Sequence, residues 1–178
     1  MRLRRPFRRL AAGGELSAEA ARKDRGQIAP LSIHASAVAL GETGVLIRGH
    51  SGAGKSSLAF SLLASAAQAG RFSRLVGDDR IELVGRNCRL LARGHPLIRG
   101  MIELRGHGIM RLAYEPAVVV GLVVDLLPMA KAARYPAAAD REVELCGAKL
   151  PRLALPSDRS SYDCAHLIMA HLQQSETI

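Results

Sequence analysis

The chain has 178 residues, 48% of them hydrophobic, which suits one folded domain with a buried core and excludes a disordered chain. Aromatics are 3%, Trp is absent and the net charge is +9; without aromatic platforms or a nucleic-acid-binding motif, no nucleic-acid partner is expected. Cys88, Cys146 and Cys164 form no Cys-x-x-Cys pair, no apolar run reaches the ~18 residues of a membrane span, and the N-terminus lacks the apolar middle of a secretion signal, so a cytoplasmic protein with free thiols is expected.

Residues 1–28 read as a flexible basic tail. Met1–Arg9 is an arginine-rich block, Gly13-Gly14 follows, and Ser17–Lys23 reads as a short helix capped by Ser17. The fold proper is placed at 29–178. Ile33–Leu40 alternates in the manner of a strand, Gly41–Gly44 is a turn, and Val45–Arg48 is a second strand, so a hairpin is expected.

The hairpin leads into Gly49-His50-Ser51-Gly52-Ala53-Gly54-Lys55-Ser56, a phosphate-binding loop pattern. Glycines let successive N–H groups point at phosphate oxygens without an obstructing side chain. Lys55 would reach the outer phosphates, and the Ser56 hydroxyl would take a place on Mg²⁺. Ser57–Ala69 follows as a helix with Ala59, Leu62, Leu63 and Ala66 at helical spacing, adding its positive N-terminal end. The expected nucleotide contacts are Gly49, His50, Ser51, Gly52, Ala53, Gly54, Lys55, Ser56 and Ser57. The bland alternative is a glycine-rich turn with an accidental Lys-Ser.

Arg74–Val76 reads as a short strand ending at Gly77-Asp78-Asp79. Ile81–Val84 and Cys88–Leu91 read as strands around a turn at Gly85–Asn87. Gly94–Pro96 is a loop, Met101–Leu104 is extended, and Arg105–Gly108 is a second glycine-rich loop. Ala117–Leu127 is a long apolar strand carrying Asp125. Residues 128–140 carry little pattern. Glu142–Leu145 and Leu150–Leu155 read as strands, and Tyr162–Gln173 as a helix with Ala165, Ile168, Met169 and Leu172 on one face. Strands outnumber helices, so the layout is α/β or α+β with a mixed sheet.

A metal-bound nucleotide needs a nearby carboxylate, usually at the end of an apolar strand. Pattern alone favours Asp125. Asp78-Asp79 competes with two adjacent acids, which in an extended segment point opposite ways; one could meet metal or substrate while the other holds the framework. A carboxylate can also accept the proton of an incoming hydroxyl. The plain alternative is a solvated turn. Glu103 lies in an apolar strand and is expected to have a cation partner. His34, taken alone, is more often a structural histidine.

Four segments together resemble the HPr kinase/phosphorylase family: Ile33-His34-Ala35-Ser36, the loop at 49–56, Leu75-Val76-Gly77-Asp78-Asp79-Arg80, and Ile102-Glu103-Leu104-Arg105-Gly106-His107-Gly108-Ile109. The last is similar to the family signature Ile-Glu-Ile/Val-Arg-Gly-Leu-Gly-Ile. The likeness covers about residues 31–172 and the family's catalytic domain only. It implies a mixed-sheet phosphate-loop fold resembling phosphoenolpyruvate carboxykinase, with few helices. It implies an ATP- and Mg²⁺-dependent protein-serine kinase acting on an HPr-like phosphocarrier, assembled as a homo-oligomer, a hexamer in the family.

By the same resemblance Asp78 is the proton acceptor for the target serine, and Ser56 and Glu103, with Asp79 beside them, hold the metal. His34 is an active-site histidine, Arg134 matches a catalytic arginine from a mobile loop, and Asp125 falls back to structure. His107 stands where the family has Leu, and Ser57 where an acid is common. Leu155-Pro156-Ser157-Asp158-Arg159 lacks the Gly-Arg-Asn that the family associates with the reverse, phosphorylase reaction, so kinase activity is the firmer expectation. Two other readings stay open: a small-molecule kinase or plain NTPase, and a nucleotide-sensing module without catalysis.

Overall fold

Residues 36–49 supply a strand pair with apolar side chains on both faces, and the fold is layered around it. In the computed structural model, which describes residues 30–175, the strands are β1 (Leu31–Ile33), β2 (Ser36–Leu40), β3 (Thr43–Gly49), β4 (Ser73–Gly77), β5 (Ile81–Arg86), β6 (Arg89–Gly94), β7 (Met101–Leu104), β8 (Gly108–Arg111), β9 (Ala117–Leu127), β10 (Glu142–Leu145) and β11 (Ala148–Pro156). Among the described residues the helices longer than one turn are α1 (Lys55–Gln68) and α2 (Ser161–Ser175). The tail at 1–28, with its expected helix over Ser17–Lys23, lies outside the described residues.

The sheet is mixed and follows the order β1-β5-β6-β9-β3-β2-β4, with β11 joining β9 in parallel and β10 pairing β11. β2 and β3 form the expected antiparallel hairpin, with Ser36 opposite Ile47 and Leu40 opposite Thr43. β3 runs parallel to β9, as a phosphate-loop strand commonly does with a neighbour. β7 and β8 make a separate two-stranded hairpin.

Side-chain alternation decides the two cores. Val38, Leu40, Val45 and Ile47 face α1 and α2 and pack with Leu58, Leu62 and Ile168. The other face carries Ala35, Ala37, Ala39 and Leu46, packed against Ile81, Leu83, Leu90 and Ala92. The small alanines let the β1-β5-β6 part of the sheet curl over β2 and β4. Where the curl closes, a Cβ on Gly94 would sit 2.1 Å from the Val76 carbonyl oxygen, so only glycine fits there.

Several boundaries differ from expectation. The strand expected over 33–40 breaks at His34-Ala35, because β1 pairs with β5 while β2 pairs with β3 and β4. The turn expected at Gly85–Asn87 falls at Asn87-Cys88, both at positive φ (51° and 57°); Gly85 stays in β5, pressed against Cys146. The loop expected over Arg105–Gly108 is the tight connection 105–107 of the β7–β8 hairpin, with Gly108 already in β8, a strand the sequence reading does not include. α1 starts at Lys55, two residues before its expected start, because Gly54 takes a left-handed φ of 92° and ends the loop there.

Candidate active site

The loop from Gly49 to Gly54 sits between the C-terminal end of β3 and the first turn of α1. Gly52 and Gly54 have φ of 79° and 92°, values that a side chain at either place would strain. The curl thus leaves the first N–H groups of α1 without side-chain caps, available to an anion. Lys55 is buried, and its Nζ donates to the Gly49 and His50 carbonyl oxygens at 3.2 and 3.0 Å. Burial pushes the Lys55 ammonium below the ordinary lysine range, and the charges of Asp79 and Asp78 oppose that shift. A cation held at that energetic cost is a recurrent mark of a functional site.

Asp78 and Asp79 follow β4. The two acids differ in burial, but not through the alternation of the extended segment expected from the sequence. Asp79 has a φ of 61°, and the Arg80 N–H donates to the Asp78 carbonyl at 2.7 Å. That is a γ-turn of the rarer, strained hand centred on Asp79. Asp78 is left buried while the Asp79 side chain is 60% exposed. Asp78 Oδ1 accepts from Ser36 Oγ at 2.5 Å and from Ser56 Oγ at 3.1 Å, and Oδ2 from the Glu103 N–H at 3.4 Å. Asp79 Oδ1 meets His34 Nε2 at 3.2 Å.

A cleft of about 280 Å³ joins these parts, lined by His34, Gly52, Lys55, Ser56, Asp79 and Glu103, with Ser51, Gly54, Ser57 and Arg105 completing its wall. A smaller crevice of about 90 Å³ lies beyond Asp79 and Glu103, and Asp78 lines it together with Ile98, Met101, Ile102 and Ile109. Glu103 is exposed, so its carboxylate is hydrated and the expected cation partner is not needed for burial. Among the described residues no cluster of His, Cys, Asp and Glu makes an all-protein metal cage. The Ser56 hydroxyl with the Asp79 and Glu103 carboxylates nonetheless fits Mg²⁺, which takes few protein oxygens and fills its shell with phosphates and water.

His50 is exposed and points its Nδ1 at the Ser51 carbonyl, and Ala53 is buried under the loop. Arg134 is not brought to this cleft; it lines a separate one beside β11, with its guanidinium 5.6 Å from the Tyr135 ring centre. Asp125, the choice of pattern alone, is taken up in a structural cluster. Arg48 grips it through two bonds of 2.8 Å, and Arg152 Nε adds one of 2.6 Å. Burial would raise this carboxyl, but the two arginines outweigh it and hold the group below the usual carboxylate range.

Sequence reasoning missed Ser36 as the closest partner of Asp78. It also gave no role to Arg105, whose guanidinium lies over Gly52 at the cleft wall. The signal for Ser36 was present: a hydroxyl two residues after His34, on a strand otherwise made of Ala, Val and Leu.

The family model for the HPr Serine kinase C-terminal domain matches residues 27–176. An HPr kinase/phosphorylase of Mycoplasma mycoides subsp. mycoides SC is 40% identical over 77 residues, 43% of this chain and 22% of that one. One from Limosilactobacillus reuteri is 30% identical over 135 residues, 70% of this chain and 40% of that one. The chain therefore spans well under half the length of these relatives. The solved Hpr(Ser) kinase/phosphatase structure from Coxiella burnetii superposes with a TM-score of 0.67 at 25% identity, covering 82% of this chain and 99% of that one. Its curled mixed sheet with few helices is the fold described above. With its family model running from the residues before β1 to the end of α2, this chain belongs to the HPr serine kinase C-terminal domain family.

Proposed function

We propose that the chain is an ATP- and Mg²⁺-dependent kinase that phosphorylates a serine of an HPr-like phosphocarrier protein. The observation that carries this reading is the shared wall between two spaces. Asp79 and Glu103 line both the phosphate-loop cleft and the crevice that holds Asp78. A γ-phosphoryl group held by the loop would meet an acceptor hydroxyl at that wall.

In this reading the loop N–H groups and Lys55 bind the phosphates and offset charge on the transferring group. Ser56, Asp79 and Glu103 would hold Mg²⁺, which supplies further neutralisation of phosphate charge when bound. Asp78 takes the proton of the serine hydroxyl. Its Oδ2 suits this better than Oδ1, because Oδ1 already accepts two hydroxyl bonds and Oδ2 only a long one from Glu103. The serine oxygen forms its bond to the γ-phosphorus as the bond to the β–γ bridging oxygen breaks, and ADP leaves with that electron pair. His34, paired with Asp79, sits at the cleft mouth and could donate to a phosphate oxygen. Arg134 could join only through movement of its segment. The forward, kinase direction is the one proposed, since Leu155–Arg159 lacks the family's Gly-Arg-Asn. The reading also includes a homo-oligomer working in the cytoplasm; no described helix is long and apolar enough to cross a membrane.

The test is transfer from labelled ATP to purified sugar-system and nitrogen-system HPr, with Asp78→Asn alongside. Transfer to one serine by the native chain, with Asp78→Asn still binding ATP and transferring at least about 100-fold more slowly, is the expected result. ATP hydrolysis without labelled HPr would instead favour a small-molecule kinase or NTPase, and binding without turnover a sensing module.

A further inference from the structure

Away from the phosphate loop, a second concavity lies between β11, the segment 128–141 and the C-terminal half of α2. It encloses about 660 Å³, well inside the range of roughly 300–1,000 Å³ typical of small-molecule sites. Its floor is apolar. Pro151, Leu153 and Leu155 of β11 line it, and Met129 closes one side.

Its rim is cationic. Arg134, Arg141, Arg152 and Arg159 line the cleft against a single acid, Asp140. Arg152 is already committed, to Asp125 at 2.6 Å and to the Asp140 carbonyl oxygen at 3.2 Å. Asp140 turns its Oδ2 to the Ala137 N–H at 3.3 Å. Arg141 and Arg159 have no ion-pair partner among the described residues. Two uncommitted guanidinium groups above an apolar floor favour a ligand with a matching division: an anionic head and an apolar body. A purely polar polyanion would leave Pro151, Leu153 and Met129 facing water, and a neutral hydrocarbon would leave the arginines unused.

We propose that this cleft binds a small organic anion, a carboxylate, sulfonate or phosphate monoester carried on an alkyl or aryl body, with its head at the Arg141–Arg159 rim and its body on β11. The site is separate from the one that binds nucleotide in the reading above, and it does not depend on that reading.

The probe is anilinonaphthalene sulfonate, titrated by fluorescence into the full chain, with phenylnaphthylamine as the same body lacking the sulfonate. The sulfonate should bind at one site and about tenfold more tightly than the neutral probe. In Arg141→Ala/Arg159→Ala, checked for an unchanged circular dichroism spectrum, that preference should shrink to about twofold or less. Leu153→Ala should weaken both probes together. Excess ATP should displace neither. A charge preference that survives the double substitution overturns the proposal. So does displacement by ATP, which would place the probe in the phosphate-loop cleft. So does a double variant that falls to a smaller oligomer, with native probe affinity kept, since the rim would then belong to an interface between copies.

Discussion

Ser36 Oγ donates to Asp78 Oδ1 at 2.5 Å, and a strand irregularity makes that contact possible. β2 and β4 pair Val38 with Leu75 but Ala37 with Gly77, so the register slips by one residue between them. Without the slip Ser36 would lie opposite Gly77. With it, Ser36 reaches Asp78. Bulges beside active sites commonly re-aim one side chain in this way.

Ser36→Ala removes the shorter of the two hydroxyl bonds that orient the buried Asp78. A hydrogen bond to a charged group is worth ~1.5–3 kcal/mol. Transfer to the carrier should fall by about 10- to 100-fold, with the KM for ATP little changed, because Ser36 does not line the nucleotide cleft. A rise in the KM for ATP with an unchanged turnover rate would mean that Ser36 supports the loop and not the carboxylate.

Lys55 should trade stability for binding. Its charge is buried at a cost that Asp79 and Asp78 only partly offset, as its lowered pKa records. A base whose folded pKa lies below its unfolded value destabilises the fold wherever the unfolded chain holds the proton, below about pH 10.4. Lys55→Met keeps the stem and deletes the charge. The nucleotide-free variant should therefore melt at a higher temperature than the native protein at pH 7, and ATP should no longer raise its Tm. Thermal scans with and without ATP measure both effects. A variant that melts lower and still gains from ATP would contradict the assigned role.

Gly94→Ala tests whether the curl of the sheet positions the acids. The new Cβ would fall 2.1 Å from the Val76 oxygen, and Val76 is two residues before Asp78. Backbone must move, at a cost of about 1–3 kcal/mol or more. The variant should lose stability in urea and lose transfer beyond what the unfolded fraction explains, because the Val76 shift carries Asp78 with it. Gly70→Ala serves as the control: a Cβ there meets nothing within 4 Å, though φ is 69°. It should cost stability but leave the specific activity of the folded protein unchanged.

Local chemistry made the loop, the β2–β3 hairpin, the span of β9 and the buried face of α2 legible from the chain. Each depends on side chains close in sequence: glycines at fixed offsets, alternation, or a helical stripe. Asp78 was legible as an acid just after a short strand and Glu103 as one within a short strand, although the three donors on Asp78 were not. Those come from β2, α1 and β7, and only the sheet's curl and the Ala37–Val38 slip bring them together. Arg134 shows the same limit from the other side. Its surroundings, 128–141, hold only two one-turn helices, so no periodicity ties the residue to a face. Asp125 misled by pattern because its two arginines lie 77 and 27 residues away in the chain.

Asp125 gives the clearest expectation about acidity. Its folded pKa is depressed, because the hydrogen bonds and charges of Arg48 and Arg152 outweigh the burial that would raise it. A carboxyl of this kind binds its proton less readily in the folded state than at the ordinary value near 3.9. Its contribution is therefore complete above about pH 5 and is lost as the pH falls through the folded pKa. Asp125→Asn leaves two cations facing each other without an acid, a change that costs about 3–5 kcal/mol where such pairs are buried. Urea midpoints of the native and Asp125→Asn proteins should differ widely at pH 7 and converge as the buffer is taken below about pH 4. Arg48 immediately precedes Gly49, whose carbonyl holds Lys55, so the variant should also bind ATP less tightly at pH 7 while still folded. A gap between the two midpoints that stays constant across the acid range would show that the carboxyl is not ionised between its arginines, and the link from β11 to the phosphate loop would lose its electrostatic basis.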